Sequence, residues 1–280
     1  MHVFPVSVVI RTRNEAAKIG TVLDGLAAQA LSGAEIVVVD SGSTDATLDI
    51  VRARGVHVIE IPAASFTFGG ALNTGVAATS APICVALSGH AVPLDDGWLG
   101  RLAGACAEDG VACASGDRYD VDGAPLHGRV HQDIALARRR PLWGYSNAAG
   151  AFRRELWEQR PFRDDLPGAE DKEWAWWWLD RGWTHVVGSD LVVDHDHTHD
   201  PLRDIYARSR REWLGYRAFL ELDDYPLRAL AREWWTDTAT HRSPLRARLS
   251  PRRAARLLGG YSARASSTTA GSAASSTVSS

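Results

Sequence analysis

The first ninety residues alternate between short apolar runs and amphipathic segments, and nothing else in the chain constrains the fold as strongly. Residues 6–11 are a β-branched run of the length and composition of a short buried strand. After it, Asn14 stands in an N-cap position, and the stretch to Ala30 puts Ile19, Val22, Leu23 and Leu26 on one helical face. Residues 35–40 are a second strand pattern ending in a polar turn. Thr44 or Asp45 opens a helix that runs to about Arg54. Residues 56–61, 69–79 and 82–88 then read as strand, helix and strand. Such an alternation calls for right-handed crossovers and an α/β fold with a mainly parallel sheet flanked by helices. Ligands of these sheets bind at the carboxyl ends of the strands. The polar groups there are Arg11-Thr12-Arg13-Asn14, Asp40-Ser41-Gly42-Ser43 and Ser88-Gly89-His90, all on one edge.

The chain of 280 residues has room for one large α/β domain with extensions, or for two modest domains. A net charge of −3 argues against a general nucleic-acid binder. No apolar run reaches the roughly 18 to 20 residues of a membrane span, and no basic leader precedes residue 6. Cys84, Cys106 and Cys113 are an odd set without a CxxC spacing, as expected of reduced thiols in a cytoplasmic protein.

Beyond residue 115 the pattern changes. Residues 115–150 are Gly-rich and less periodic, 170–182 form a Trp-rich helix, and 201–235 read as mainly helical. Residues 241–264 carry seven arginines and no acid, and can be either a solvated face or a peripheral contact with an anionic membrane surface. The Ser/Thr/Ala/Gly composition of 266–280 predicts disorder. His195, His197 and His199 alternate, so an extended segment turns all three the same way, toward a metal or a diphosphate. A solvated His-Asp loop is the plainer alternative.

Several segments occur together in an order that resembles family 2 glycosyltransferases of the GT-A fold, and most closely the rhamnosyltransferase-like subgroup. They are Val6 to Glu15, Ile36 to Asp45, Phe66 to Asn73, Ser88 to Pro93 with Trp98-Leu99, Asn147 to Trp157, and Gly168 to Trp174. The resemblance spans roughly residues 5–200. It implies a GT-A-like domain over 1–200, with a nucleotide half (1–100) and an acceptor half (101–200). A basic helical extension (201–264) and a tail (265–280) follow.

The resemblance also implies roles. Arg11, Thr12, Asn14, Glu15, Asp40, Ser41, Ser43, Asn73 and Ser88 fall where the family contacts the nucleotide, with Asp40 on the base. Taken alone, Asn14 and Glu15 are a helix cap with an acidic first turn, and Asp40 is a turn former. Asp45 reads as a cap with a supporting role. Ser88-Gly89-His90 stands where the family has Asp-x-Asp, which binds a divalent cation bridging the phosphates. An imidazole suits Mn²⁺-like ions better than Mg²⁺. His90, with His195 and His197, is therefore a candidate metal ligand, a diphosphate contact, or a sign of weaker metal dependence. Asp171 matches the base that deprotonates the acceptor hydroxyl, and Glu170 is its alternative or an acceptor contact. Trp143 is an acceptor candidate and Asn147 a position near the donor sugar. At helical spacing, core packing accounts for at least half of Trp174, Trp176, Trp177, Trp178 and Trp183.

The implied activity is inverting transfer from a UDP or dTDP sugar to a glycan, lipid-linked or small-molecule hydroxyl. The setting is cell-envelope polysaccharide synthesis in the cytoplasm or at the inner membrane face. Two rivals stand beside it. A nucleotidyltransferase needs a Gly-rich phosphate loop, which Arg11-Thr12-Arg13-Asn14 lacks. A non-catalytic nucleotide or carbohydrate binder is suggested by the missing Asp-x-Asp, but leaves Glu170-Asp171 without a purpose.

Overall fold

The structure, a computed structural model, describes residues 5–30, 33–198, 200–221, 225–240 and 250–265, without the side chains of 236–240. Contacts divide the chain into two compact units. One comprises the residues up to Asp165 with Glu170–Asp196, the other Leu166–Ala169 with the chain from His197 onward.

The first unit is built on an eight-stranded sheet. In chain order its elements are β1 (Val6–Thr12), α1 (Ile19–Ala27), β2 (Glu35–Asp40), α2 (Thr47–Arg52), β3 (His57–Glu60), α3 (Phe68–Ala77), β4 (Ile83–Ser88), β5 (Val92–Pro93), α4 (Trp98–Ala107), β6 (Val111–Gly116), β7 (Arg129–Gln132), α5 (Ile134–Arg139), β8 (Ala149–Arg153), α6 (Arg154–Gln159), α7 (Glu170–Leu179), β9 (Thr184–Gly188) and β10 (Val193–Asp194). The sheet order is β3-β2-β1-β4-β8-β6-β9-β7, and β10 pairs with β5 in a separate ribbon. The β3-β2-β1-β4 block is parallel throughout, as its crossover helices require.

Both faces of the sheet are covered, so its strands are apolar on both sides. Along β1, Val6, Val8 and Ile10 join the layer of α1 and α4, while Val9 joins Val37 and Val39 beneath α3 and α7. Helix α3 lies close because of Gly75, where a Cβ would sit 2.2 Å from Val9 Cγ1 and 2.9 Å from Val39 Cγ2. Gly75→Ala should destabilise the protein by about 1–3 kcal/mol through overpacking, read as a lower urea midpoint at unchanged slope.

Register places the site. Thr12 pairs with Asp40, and Arg11 with Ser88, so the carboxyl ends of β1, β2 and β4 are level. The next strand, β8, runs antiparallel to both β4 and β6, with Ala149 beside Leu87. That reversal starts β8 at the edge where β4 ends. The segment leading to Asn147 therefore arrives at the same edge, fixed by Ser88 N–H donating to the Ala148 carbonyl at 2.9 Å.

Two sequence expectations change in detail. Asn14 does not cap α1, which starts at Ile19 after Lys18 with no side-chain cap. Asn14 instead adopts a left-handed backbone (φ 56°), and its Oδ1 accepts from Thr44 N–H at 2.8 Å, fastening the β1 loop to the β2 loop. Asn tolerates this conformation because its short side chain bonds locally. The less periodic stretch 115–150 contains β7 and α5, whose four and six residues are too short to show a period.

The second unit pairs α8 (Leu202–Tyr216) with α10 (Pro251–Ala265), and α9 (Leu227–Thr240) lies between them in the chain. The pair is close because a Cβ on Gly259 would lie 2.4 Å from the Tyr206 carbonyl oxygen. Ser209 Oγ adds a 2.7 Å bond to the Arg256 carbonyl. Residues 241–249 and 266–280, and His199, lie outside the described residues.

Candidate active site

The polar residues at the ends of β1, β2 and β4 form one hydrogen-bonded floor. Asp40 is fully buried, yet its Oδ1 accepts from Gly42 N–H at 2.9 Å and Ser43 N–H at 2.8 Å, and its Oδ2 accepts from Ser43 Oγ. These donors satisfy the carboxylate and fix its direction. Ser41 N–H donates to the Thr12 carbonyl at 3.1 Å, while Asn14 N–H donates to Ser43 Oγ at 2.8 Å. Thr47 Oγ1 accepts from Glu15 N–H at 2.8 Å. Asp45, expected as a cap, does more: it accepts from Thr47 N–H at 3.0 Å and from Ala16 N–H at 3.1 Å, and these bonds with the Thr47 hydroxyl hold its carboxyl below the usual range. Thr12 Oγ1 is buried with no hydrogen-bond partner. A Cβ on Gly89 would lie 2.8 Å from it, so glycine is what lets the β4 turn close over β1.

A second group lies at the same edge. Arg11 leaves a buried strand and must find acceptors. Its Nη1 donates to Glu170 Oε1 at 3.1 Å and to the Phe68 carbonyl at 3.2 Å, and Nη2 donates to the Asn147 carbonyl at 3.2 Å. Asn147, itself buried, donates Nδ2–H to Glu170 Oε1 at 3.4 Å and its backbone N–H to Asp171 Oδ2 at 3.1 Å.

The adjacent acids thus have unlike surroundings. Glu170 is buried, and burial together with the Asp171 charge raises its pKa, against the pull of Arg11. Asp171 is half-buried, held by Asn147 N–H and by Lys172 N–H at 2.7 Å. Both acids open α7, where the helix dipole favours negative charge. Ala169 before them has φ 60°, a rare conformation for alanine, which turns the chain into the helix.

His90 Nδ1 lies 2.8 Å from Glu15 Oε1, and its ring stacks on His195, centroids 4.7 Å apart at 16°. His195 follows β10, whose pairing with β5 sets the two imidazoles side by side. These two imidazoles could together ligate a metal ion. His197 is the first residue of the second unit, where its Nδ1 is 3.1 Å from Asp200. Imidazole donors with a carboxylate behind one ring suit Mn²⁺ or a similar borderline ion.

A family model, Glycosyl transferase family 2, matches residues 7–183. The chain belongs to glycosyl transferase family 2. As a family 2 glycosyltransferase it is an enzyme that takes its sugar from a nucleotide sugar. It is 24% identical over 213 residues to the O-antigen chain rhamnosyltransferase RfbN of Salmonella typhimurium, covering 70% of this chain and 68% of that protein. Among solved structures it is similar to the mannosyltransferase PcManGT from Pyrobaculum calidifontis in complex with GDP-Man and Mn²⁺. There the TM-score is 0.68 and the identity 19%, over 96% of this chain and 88% of that one. It is also similar to glucosyl-3-phosphoglycerate synthase from Mycobacterium tuberculosis in complex with Mn²⁺, UDP-glucose and glycerol 3-phosphate. That match has a TM-score of 0.55 at 26% identity, over 77% of this chain and 79% of that one. The GT-A-like sheet of this family 2 enzyme is thus shared with enzymes that handle quite different sugars.

Most residues singled out in the sequence meet at this edge: Arg11, Thr12, Asn14, Glu15, Asp40, Ser41, Ser43, Ser88, His90, Asn147, Glu170, Asp171 and His195. Asn73 does other work. Its Nδ2 donates to the Phe162 carbonyl at 2.8 Å, and its Oδ1 accepts from Trp157 Nε1 at 2.8 Å and Phe162 N–H at 3.1 Å. That is a latch between α3 and the segment after α6. Trp143 Nε1 donates to the Tyr119 carbonyl at 3.0 Å and leaves the ring half-exposed. Trp174 and Trp178 are core, whereas Trp177 is exposed between the guanidinium groups of Arg160 and Arg181. Two contacts were not foreseen. Arg11, expected on the nucleotide, instead clamps Glu170, for which the signal was a cation at the end of a buried strand. Lys172 Nζ donates to the Gly144 carbonyl at 2.8 Å and ties α7 to the segment before Asn147, a contact no local pattern announces.

Proposed function

We propose that this glycosyltransferase inverts configuration at the sugar, with Asp171 as the base that takes the acceptor proton. The observation that carries it is the contrast between two neighbouring carboxyls. Glu170 is buried and clamped by Arg11, whereas Asp171 is half-buried and held from behind by two backbone N–H groups. A single displacement needs one base, and Asp171 is the acid of the pair that is accessible to an acceptor.

The nucleotide lies on the floor of β1, β2 and β4, in the half of the chain up to about residue 100. Asp40, Thr12 and the Asn14–Glu15 turn face the base and ribose. The donor is a UDP or dTDP sugar, and relatives with GDP-mannose and UDP-glucose frame that choice. Residues 101–200 form the acceptor half. Asn147 lies beside the transferred sugar and Trp143 beside the acceptor. The acceptor is a hydroxyl of a glycan or lipid-linked oligosaccharide, consistent with likeness to an O-antigen enzyme. The work is done at the cytoplasmic face of the membrane, and no helix among the described residues is long and apolar enough to cross one.

His90 and His195 would hold a divalent cation. Bound there, it would supply positive charge to the departing diphosphate. Glu15 orients His90 by accepting from Nδ1–H, which leaves Nε2 as the ligand nitrogen. Glu15→Gln should therefore weaken Mn²⁺ binding by about 10–100-fold, measured by titration in the presence of UDP. An unchanged affinity would remove His90 from the metal site. The base assignment is tested by Asp171→Asn, developed in the Discussion.

A further inference from the structure

The seven arginines of residues 241–264 suggested a basic face in that segment; of the four described ones, Arg256 is exposed and the other three turn inward. Arg252 Nη1 donates to the Asp200 carbonyl at 2.7 Å, and Arg253 Nη2 donates to the Trp234 carbonyl at 3.0 Å. Arg264 is sandwiched between Tyr225 and Trp213, 3.3 and 4.0 Å from their ring centroids. These three are committed to internal packing. The exposed face of α9 has a different composition. Leu227, Ala231 and Trp235 recur at i, i+4 and i+8 and form one stripe. Leu227 is 67% exposed and Trp235 69%, the two largest exposures among the described large hydrophobic residues. Arg228 and Arg232 flank the stripe and are exposed. The one acid among the described side chains of α9, Glu233, is half-exposed and paired with Tyr225 and with Arg264, 3.5 Å away.

We propose that this face of α9 lies on an anionic lipid bilayer. Leu227 and Trp235 enter the headgroup boundary, and Arg228 and Arg232 meet lipid phosphates. An isolated exposed leucine is ordinary. A leucine and a tryptophan on one stripe, with two arginines beside them and the acid neutralised by Arg264, are the composition of a helix lying in the interface. Charge points the same way. Among the described side chains of 225–235 and 250–265, the exposed charged ones are Arg228, Arg232 and Arg256, in a chain whose net charge is −3. A nucleic acid would also accept the arginines, but it would give Leu227 nothing apolar to enter. This surface deepens the lipid-linked part of the proposed acceptor and uses no residue of the nucleotide floor.

The test is sedimentation of the full chain with phosphatidylcholine vesicles, with and without phosphatidylglycerol. Binding is expected on the anionic vesicles only, weakening as salt rises. Leu227→Gln with Trp235→Gln should lower the partition coefficient at least about tenfold. Arg228→Gln with Arg232→Gln should lower it about thirtyfold, on the scale of two arginine–lipid attractions. Equal binding to neutral vesicles, no binding by the wild type, or variants that bind like the wild type would each overturn the proposal. So would a preference for RNA over the vesicles. UDP titration of the same variants should be unchanged, which shows them folded and reads the nucleotide site separately.

Discussion

Asp171→Asn should lower turnover by about 10²–10⁴-fold while leaving nucleotide affinity within a factor of two or so. The substitution keeps the size of the side chain and one oxygen that can accept from Asn147 N–H or Lys172 N–H, the two donors that hold Asp171. What it removes is the capacity to take a proton. Single-turnover measurement with a sugar nucleotide and an acceptor isolates the chemical step, and titration with the nucleoside diphosphate checks the binding. A variant that retains full turnover would move the base elsewhere, Glu170 being the nearest candidate. A loss of nucleotide binding equal to the loss of turnover would mean that Asp171 shapes the floor instead of acting on the acceptor.

Arg11→Met should be the most destabilising single change at the site, costing about 3–5 kcal/mol at pH 8, since it strands a buried carboxylate. Arg11 is the cation 3.1 Å from Glu170, and both side chains are largely buried. The pH dependence follows from the shift on Glu170. Its folded pKa is raised by burial and by Asp171, and Arg11 is the group that opposes the rise. Without Arg11 the pKa climbs further. A carboxyl with a raised folded pKa contributes stability that is present below its unfolded pKa and is lost as pH rises through the folded value. The deficit of Arg11→Met relative to the wild type should therefore be greatest at pH 8 and shrink as the pH is lowered, because a protonated Glu170 needs no cation. Melting temperatures at pH 8 and at lower pH measure this. Pairing Arg11→Met with Glu170→Gln should recover part of the loss at pH 8. A deficit independent of pH would assign Arg11 a packing role over Phe68, whose ring centroid is 5.4 Å away.

The parallel half of the fold was legible because β1, β2, β3 and β4 are short apolar runs separated by helices with regular faces, and polar residues mark their ends. Asp40 and His90 could be placed at the site edge from that pattern alone. The antiparallel half was not legible in the same way. Strand β8 reads Ala-Gly-Ala-Phe-Arg, too small and too short to declare a direction, and its reversal is fixed by neighbours far away in the chain. Asn147, Glu170 and Asp171 were found through the family resemblance, since acids at a helix start also serve the helix dipole. Asn73 shows the cost of that route. It sits in a matching motif, yet its amide is engaged by Trp157 and Phe162. Local spacing cannot separate a ligand contact from a latch between two segments 84 or more residues apart. In the basic segment composition counts arginines, whereas burial decides which face out: among the described ones Arg252, Arg253 and Arg264 turn inward and Arg256 is exposed.

The nucleotide floor is the claim on which the rest depends, and calorimetric titration of the full chain with UDP, dTDP and GDP tests it most directly. Each is run with Mn²⁺, with Mg²⁺ and with chelator. The account predicts one-to-one binding selective for UDP or dTDP and tightened by Mn²⁺ more than by Mg²⁺. Protein shown to be folded that binds none of the three, with or without metal, would contradict it.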